Sequence, residues 1–138
     1  MMPTAKVSKL LVAVLALLIV IMVSCADDHK LVSIDVSPQN FTITGQGLNV
    51  QFTAIGHYQH PLEDKDITST VVWKSSADQI ISFATPSRPG LATSGGGCGT
   101  NLQISANVYS NPKDPANGKI VQGVATVNVQ QPGNVNCQ

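Results

Sequence analysis

The stretch DITSTVVWKSS, from Asp66 to Ser76, contains the only tryptophan of the chain. This residue, Trp73, stands in a short run of β-branched residues with turn-forming residues on both sides. β-Branched and aromatic residues favour strands because their side chains pack well on a pleated, half-buried surface. We therefore expect Trp73 to be a core residue on a strand, with the other strands arranged to cover its indole.

On both sides of this stretch, apolar and polar residues alternate in short runs, which is the pattern of strands with one buried face. Pro38 ends the first run because it has no N–H to donate to a sheet. The composition of residues 56–65 predicts a loop, and the composition of Asn111 to Gly118 predicts a hairpin loop. The predicted strands are the run from Leu31 with Val32, Ile34 and Val36 on one face, continued along the edge by Phe41 to Thr44; the run with Leu48, Val50, Phe52 and Ala54 on one face; the Trp73 strand; Ile80 to Ala84; Leu91 to Thr93; Leu102 to Val108; and Val124 to Val129.

The length and composition are those of one domain plus whatever its ends contain. Beyond the first 24 residues, the 138-residue chain is rich in Val, Ile, Thr, Ser, Asn and Gln and has no long helix-forming window. This composition predicts an all-β domain. About seven short strands around one tryptophan predict a β-sandwich of two packed antiparallel sheets, with a barrel as the alternative fold.

The charge balance argues against nucleic acid as a partner. The chain has eight basic and eight acidic side chains, and no cluster of lysine or arginine lies beyond the N-terminal segment. A surface that binds nucleic acid needs such a cluster to neutralise phosphates. Without residues 1–24, which contain Lys6 and Lys9, the remaining chain is slightly acidic.

The N-terminus has the pattern of an export signal. Two lysines precede an unbroken apolar run from Leu10 to Val23, which is 14 residues long. A membrane-spanning helix needs about 20 apolar residues, so this run fits the core of a signal peptide instead. Met22-Val23-Ser24-Cys25 resembles the lipobox of bacterial lipoproteins, in which the cysteine is lipidated and becomes the new N-terminus. We therefore expect residues 1–24 to be a lipoprotein signal peptide and Cys25 to be the lipidation site.

Two details of this signal keep an alternative open. Met22 stands where the lipobox usually has leucine, and Ser24-Cys25-Ala26 also fits an ordinary signal peptidase site, which would release a secreted protein that begins at Asp27. Ala26 after the cysteine favours the outer membrane if sorting follows the rule of well-studied Gram-negative bacteria. In the lipoprotein interpretation, residues 25–30 are the lipidated N-terminus and a short tether, and residues 31–138 are the sandwich and its C-terminal tail.

Six blocks between Leu31 and Val129 carry a family resemblance: LVSIDVSPQNFTITGQ, VQFTAIGHY, DITSTVVWKSS, GLAT, LQISANVY and VATVNV. In this order they resemble the bacterial immunoglobulin-like domain of group 2, which is found in intimin- and invasin-like adhesins and in many surface proteins. The resemblance implies an immunoglobulin-like β-sandwich that serves as a spacer, an adhesion module or a surface that binds proteins or carbohydrates. It implies no catalytic residues. Residues 94–100, SGGGCGT, depart from the family pattern.

Cys98 and Cys137 are the thiols that remain if Cys25 is lipidated or removed. An exported chain meets an oxidising compartment, so we expect these two cysteines to form a disulfide. Closing a loop of about 40 residues stabilises a domain by about 4 kcal/mol in the chain-entropy model. Free or intermolecular thiols are the alternative. The glycines around Cys98 predict a flexible corner and not a phosphate loop, because no Lys-Ser/Thr follows them.

His57 and His60 lie three residues apart, with Glu63, Asp64 and Asp66 close behind. A tetrahedral metal site needs three or four donors held by further hydrogen bonds, and two histidines in a loop do not specify one. The acidic residues also lack the spacing of a calcium loop. We therefore expect a solvated loop with no metal and no cofactor, with a metal at this loop as the alternative.

The sequence contains no motif of a catalytic site. Neither Gly-x-Ser-x-Gly nor His-Glu-x-x-His occurs, and Cys98 is better explained by a disulfide than as a nucleophile. We expect a non-enzymatic interaction module, held in the cell envelope by a lipid anchor, whose partner is a surface protein or a polysaccharide. A passive structural component and a secreted binding module are the alternatives. Trp73 and Tyr58 would stack on sugar rings if they were exposed.

Overall fold

The structure is a computed structural model that describes residues 29–84, 87–110, 116, 118–134 and 137. These residues form ten β-strands and no α-helix, which confirms the expected all-β fold. The strands are β1 (Lys30–Ser37), β2 (Phe41–Thr44), β3 (Asn49–Gln51), β4 (Thr53–Gln59), β5 (Glu63–Asp66), β6 (Val72–Ser75), β7 (Ile81–Phe83), β8 (Leu91–Ser94), β9 (Gly99–Tyr109) and β10 (Ile120–Gln130).

The strands form three hydrogen-bonded sheets: sheet A in the order β1-β4-β5, sheet B in the order β2-β10-β9-β6, and sheet C in the order β3-β8-β7. Only Phe52 separates β3 from β4, and its N–H donates to Gly90 O at 2.8 Å, beside β8. β3 and β4 are therefore two halves of one long strand, and sheets A and C form a single layer that faces sheet B. The fold is a two-layer β-sandwich, as the sequence predicts, and not the alternative barrel.

Apolar side chains from both layers fill the space between them. Alternate residues of a strand point to the same face, so each strand contributes every second side chain to the core. Burying one such side chain contributes roughly 1.5–3 kcal/mol, and this burial holds the layers together. The buried apolar residues are Leu31, Ile34, Val36, Ile43, Phe52, Ala54, Ile67, Val71, Ile81, Ala92, Ile104, Ala106, Ala125, Val127 and Val129.

A register shift in β1 changes which residues face the core. The pairing of β1 with β4 is regular except between Leu31 and Ser33, where β1 has a bulge. A bulge adds one residue to one strand and so reverses the alternation of its side chains. Leu31 is therefore buried and Val32 is 47% exposed. The prediction that Val32 shares a face with Ile34 and Val36 is wrong, because it assumed an unbroken ladder.

β2 lies in the layer opposite β1. Phe41 to Thr44 pairs in parallel with residues 127–130 of β10, and does not continue β1 along its edge as predicted. Pro38 removes a ladder donor at the end of β1, and the chain crosses to sheet B after it. Ile43 then joins the core from the other side. Among the described strands, this is a parallel pair within an otherwise antiparallel sheet.

The prediction that residues 56–65 form a loop is wrong, because most of this segment is a β-hairpin. β4 continues to Gln59 and β5 begins at Glu63, with residues 60–62 as the turn between them. All four residues of β5 are exposed, and β5 is the edge strand of sheet A. Charged side chains protect an edge strand from pairing with other chains, so charge does not argue against a strand here.

Smaller differences concern the ends of other strands. Leu48 precedes β3 and is 47% exposed, so it does not share the buried face of Phe52 and Ala54. β10 begins at Ile120, four residues before the predicted closing strand. Of the predicted hairpin loop at 111–118, only Ala116 and Gly118 belong to the described residues. The described parts of the chain contain no helix long and apolar enough to span a membrane.

Candidate functional site

Trp73 lies on β6 and packs against the core without being fully enclosed. Its indole stacks on Phe83 of β7, with ring centroids 5.4 Å apart and planes inclined by 24°. Phe52 contacts both rings, at centroid distances of 6.2 Å from Trp73 and 6.0 Å from Phe83. Trp73 and Phe83 are therefore the half-buried members of a three-ring aromatic cluster whose third ring, Phe52, is fully buried.

The segment before β6 holds the indole in place. Thr68 O accepts a hydrogen bond of 3.0 Å from Trp73 Nε1, so the polar end of the indole is satisfied. The Thr68 hydroxyl accepts a bond of 2.9 Å from Ala54 N–H, and Thr68 N–H donates to Asp66 Oδ1 at 2.9 Å. Hydrogen bonds from the Thr68 side chain and backbone lower the pKa of the Asp66 carboxyl. Ile67 is buried beside them and ties this segment to the core.

A cleft of about 440 Å³ lies between β6, at the edge of sheet B, and β7, at the edge of sheet C. Its apolar lining includes Trp73 and Phe83, and its polar lining consists of Ser69, Ser82 and Asp78. The chain passes from β6 to β7 through residues 76–80, so Asp78 lies at the end of the cleft where the strands are joined. Clefts of this size, with apolar walls and a few polar groups, are typical of ligand sites.

The chemistry of the cleft suits reversible binding. Asp78 is the one charged residue among those that line it, and the hydroxyls of Ser69 and Ser82 supply further polar contacts. Among the described residues, the cleft lining contains a single titratable group and no histidine, cysteine or lysine. What it offers a partner is aromatic contact area with hydroxyls and one carboxylate at the rim.

A second cluster lies on the outer face of sheet A, where His57 is held between two carboxylates. Its Nδ1 is 2.6 Å from Asp64 Oδ1 on β5, and its Nε2 is 3.0 Å from Asp35 Oδ2 on β1. The hydrogen bonds to Asp35 and then Asp64 raise the pKa of His57 above its ordinary value, since both favour the protonated ring. The cluster therefore ties the three strands of sheet A together when His57 is protonated.

The other residues of the predicted acidic segment do not converge with His57 on one point. Glu63 lies 3.3 Å from His29 Nδ1, and Asp66 bonds the Thr68 segment. His60 is in the exposed turn between β4 and β5. In the described residues, no group of three or more His, Cys, Asp or Glu side chains is arranged to hold a metal ion.

Tyr58 is half-buried at the end of β4, on the same side of the strand as the buried Ala54 and Gly56. Burial, followed by the negative charge of Glu63, raises the pKa of its phenol. Its ring contacts His29 edge-on, at a centroid distance of 6.5 Å. Tyr58 and Trp73 lie at different places in the fold and do not form one aromatic surface.

The disulfide between Cys98 and Cys137 is present, with the two Cα atoms 5.6 Å apart. It closes a sequence separation of 39 residues and fastens the end of the chain to the segment before β9. The Gln131 side chain strengthens the same attachment by donating to Gly95 O at 2.9 Å. Gly95 itself has no room for a side chain, because a Cβ there would lie 2.4 Å from Gln79 O. Gly95 is thus closely packed, whereas Gly96 is exposed.

Three residues of these sites were missed by the sequence interpretation. Phe83 and Asp78 line the cleft with Trp73, and Asp35 binds His57 from another strand. Asp35 is one of the alternating polar residues of the first predicted strand, but alternation does not say which strand is its neighbour. Phe83 alternates with Ile81 on a predicted strand, but alternation does not say that its ring contacts Trp73 on another strand.

No family model matches the chain. No curated protein matches it either. Cys25 and residues 1–24 lie outside the described residues, so the predicted signal peptide and lipidation site stay predictions. The geometry of the cleft and the sequence patterns are therefore the basis for assigning a function.

Proposed function

We propose that this chain is a non-enzymatic interaction module of the bacterial cell envelope and that the cleft between β6 and β7 is its binding surface. The proposal rests on one observation: the half-buried Trp73 and Phe83 line an open cleft at the point where two sheet edges meet. Aromatic side chains supply large contact area at a small cost in side-chain entropy, which makes them effective binding residues. A surface protein or a polysaccharide is the partner class.

The position of the aromatic cluster also makes the binding surface rigid. Trp73 is held by Phe52, Phe83 and Thr68 O, so little ordering is required when a partner arrives. Preorganisation of this kind raises affinity because the entropy of ordering has already been lost during folding. A passive structural domain has no need for an open aromatic cleft, and this favours the binding module over the structural alternative.

The anchoring and the family are further parts of the proposal. The lipobox-like Met22 to Cys25 supports a lipoprotein held in the envelope, in the outer membrane if Ala26 acts as in Gram-negative sorting. The six sequence blocks between Leu31 and Val129, together with the two-layer sandwich, support a bacterial immunoglobulin-like domain of group 2. Because such folds host many unrelated functions, the proposed function is based on the cleft and not on the fold.

A binding experiment with envelope fractions tests the role of the cleft. The purified protein is immobilised and exposed to solubilised envelope proteins and polysaccharides of its native host. Ser82→Arg places a long side chain in the cleft, whereas Thr42→Arg adds the same side chain on β2, at the opposite edge of sheet B. We expect wild type and Thr42→Arg to retain the same partner and Ser82→Arg to lose it. Equal retention by Ser82→Arg would show that binding occurs elsewhere, and no retained partner would support the passive structural alternative.

Intact mass spectrometry of membrane and soluble fractions tests the anchor. We expect a membrane-bound chain that begins at Cys25 and carries added acyl groups. An unmodified soluble chain that begins at Asp27 would establish the secreted alternative instead. This outcome leaves the binding proposal intact and moves the search for its partner outside the cell.

A further inference from the structure

We infer that the cleft binds an extended peptide with a basic side chain, and that this peptide pairs with the open edge of β6 as an additional strand of sheet B. The inference rests on the proposed function, because it names the class of partner for the same cleft. It depends on three features: the direction of the backbone groups of β6, the position of Asp78, and the position of Lys74.

The backbone of β6 presents hydrogen-bonding groups to its open edge. Among the described strands, β6 has a neighbour on one side only, which is β9. Ser76 N–H donates to Gln103 O at 2.9 Å, so Ser76 and every second residue before it bond towards β9. In an antiparallel pair the residues between them direct their N–H and C=O to the other side. Trp73 and Ser75 therefore offer their backbone groups to an incoming strand.

β7 is less suited to this role, although it forms the other side of the cleft. Gly95 N–H donates to Ile80 O and Ala84 N–H donates to Leu91 O, so Ile81 and Phe83 are the residues directed to the open edge of β7. The N–H of Ile81 already donates to Ala77 O at 3.0 Å. β6 thus offers the more complete set of donors and acceptors for a new strand.

A strand added to β6 would place every second side chain in the cleft. Side chains of a strand alternate between the two faces of its sheet, and the inner face of sheet B at this edge borders the cleft through Val71 and Trp73. A peptide side chain that enters there meets Trp73, Phe83 and the carboxylate of Asp78. Aromatic faces and a carboxylate together attract a cation, by cation–π and ionic contacts, so charge complementarity favours lysine or arginine at this position.

Lys74 restricts the basic residue of the peptide to the inner face of sheet B. It lies between Trp73 and Ser75 on β6, so its side chain points to the opposite, outer face of sheet B, where it is exposed. A basic residue on the outer face of the added strand would meet Lys74 and be repelled. The open edge of β6 therefore favours peptides whose positive charge is on the inner face over peptides whose positive charge is on the outer face.

The test uses nonapeptides of alternating threonine and valine, attached singly to a surface, with the purified full-length chain in solution. One peptide has a central arginine, a second has citrulline there, a third has the arginine moved by one position, and a fourth is N-methylated at alternate amides. We expect the peptide with the central arginine to bind. The citrulline peptide and the peptide with the shifted arginine should bind about three- to fivefold more weakly at low salt, which is the size of effect expected from the loss of an exposed ion pair. The N-methylated peptide should lose binding because its ladder donors are blocked.

Two variants of the chain assign the charge effect to the cleft. Asp78→Asn should remove the preference for arginine over citrulline, whereas Asp35→Asn, a matched change on the outer face of sheet A, should keep it. Equal binding of the arginine and citrulline peptides to wild type, or an unchanged preference in Asp78→Asn, would overturn the inference.

A separate probe distinguishes failure of the inference from failure of the proposed function. Trp73 is the only tryptophan, so its fluorescence reports directly on the cleft. If a neutral oligosaccharide such as chitohexaose changes this fluorescence in wild type but not in Ser82→Arg, and no peptide does so, the cleft binds a glycan and the peptide inference is wrong. If neither probe acts and the envelope fractions provide no partner, the proposed function fails as well.

Discussion

Nδ1 of His57 lies 2.6 Å from Oδ1 of Asp64, and this contact joins the last two strands of sheet A through their side chains. The two residues are directly opposite each other in the β4–β5 ladder. β5 is an edge strand whose four residues are all exposed, so few apolar contacts hold it to the sheet. The ion pair and the backbone ladder are therefore what keep β5 in place when His57 is protonated.

The first prediction concerns the pH dependence of stability. Because the hydrogen bonds to Asp35 and Asp64 raise the pKa of His57, the folded chain binds this proton more tightly than the unfolded chain. The stabilisation is complete below the ordinary value of 6.5 and is lost as the pH rises through the folded-state pKa. We expect the free energy of unfolding by urea to fall in wild type as the pH rises above 6.5, and to fall less in His57→Gln. His60→Gln is the control and should retain the wild-type slope; equal slopes in all three proteins would contradict the role of His57.

The second prediction concerns Thr68, whose hydroxyl accepts the N–H of the fully buried Ala54. Thr68→Val keeps the shape of the side chain but leaves that donor without its acceptor. An unsatisfied buried donor costs about 1–3 kcal/mol, so we expect a loss of this size in the free energy of unfolding. Thr70→Val is the matched control, because Thr70 is exposed and its hydroxyl bonds only Ile67 O. The two variants are compared by urea denaturation, and equal losses would disprove the special role of Thr68.

The third prediction concerns the disulfide that links Cys98 to Cys137. Closing a loop with a sequence separation of 39 residues restricts the unfolded chain. In the chain-entropy model this contributes about 4 kcal/mol, which is a large part of the stability of a small domain. We expect Cys98→Ala/Cys137→Ala to lower the free energy of unfolding by about this amount in the absence of reductant. Adding a reductant should destabilise wild type and leave the double variant unchanged; a wild type that is insensitive to reductant would count against the bond in solution.

The fourth prediction concerns Gly123 on β10, where the two layers approach closely. A Cβ at this position would lie 2.6 Å from Ile34 O on β1, and a backbone atom cannot move away without shifting the strand. Overpacking of this kind costs about 1–3 kcal/mol, so Gly123→Ala should lower the thermal midpoint. Val124→Ala, at the adjacent and partly exposed position, serves as the comparison and should have a smaller effect. An unchanged midpoint in Gly123→Ala would mean that the layers adjust easily at this point.

The alternation of apolar and polar residues was sufficient to predict most of the strands. Ile34 and Val36 in β1, and Val127 and Val129 in β10, are buried as their spacing predicts. The period of two fails where the ladder is irregular, as at the bulge beside Val32. It also fails for β5, because a strand that buries none of its side chains has no apolar pattern. Local composition cannot reveal either feature, since both depend on the neighbouring strand.

The all-β fold and the strands with one buried face follow from the amino-acid sequence alone, because alternation and β-propensity are local properties. The pattern at the N-terminus also predicts export, and an exported chain with Cys25 lipidated or removed would have Cys98 and Cys137 as its one intramolecular pair, which the structure contains. Three-dimensional packing, in contrast, determines that β2 pairs with β10, that Asp35 and Asp64 bind His57, and that Phe83 joins Trp73 at an open cleft. These contacts depend on which strands become neighbours across and between the layers. Which strands become neighbours depends on the packing of the whole core, so it cannot be predicted from a short stretch of the chain.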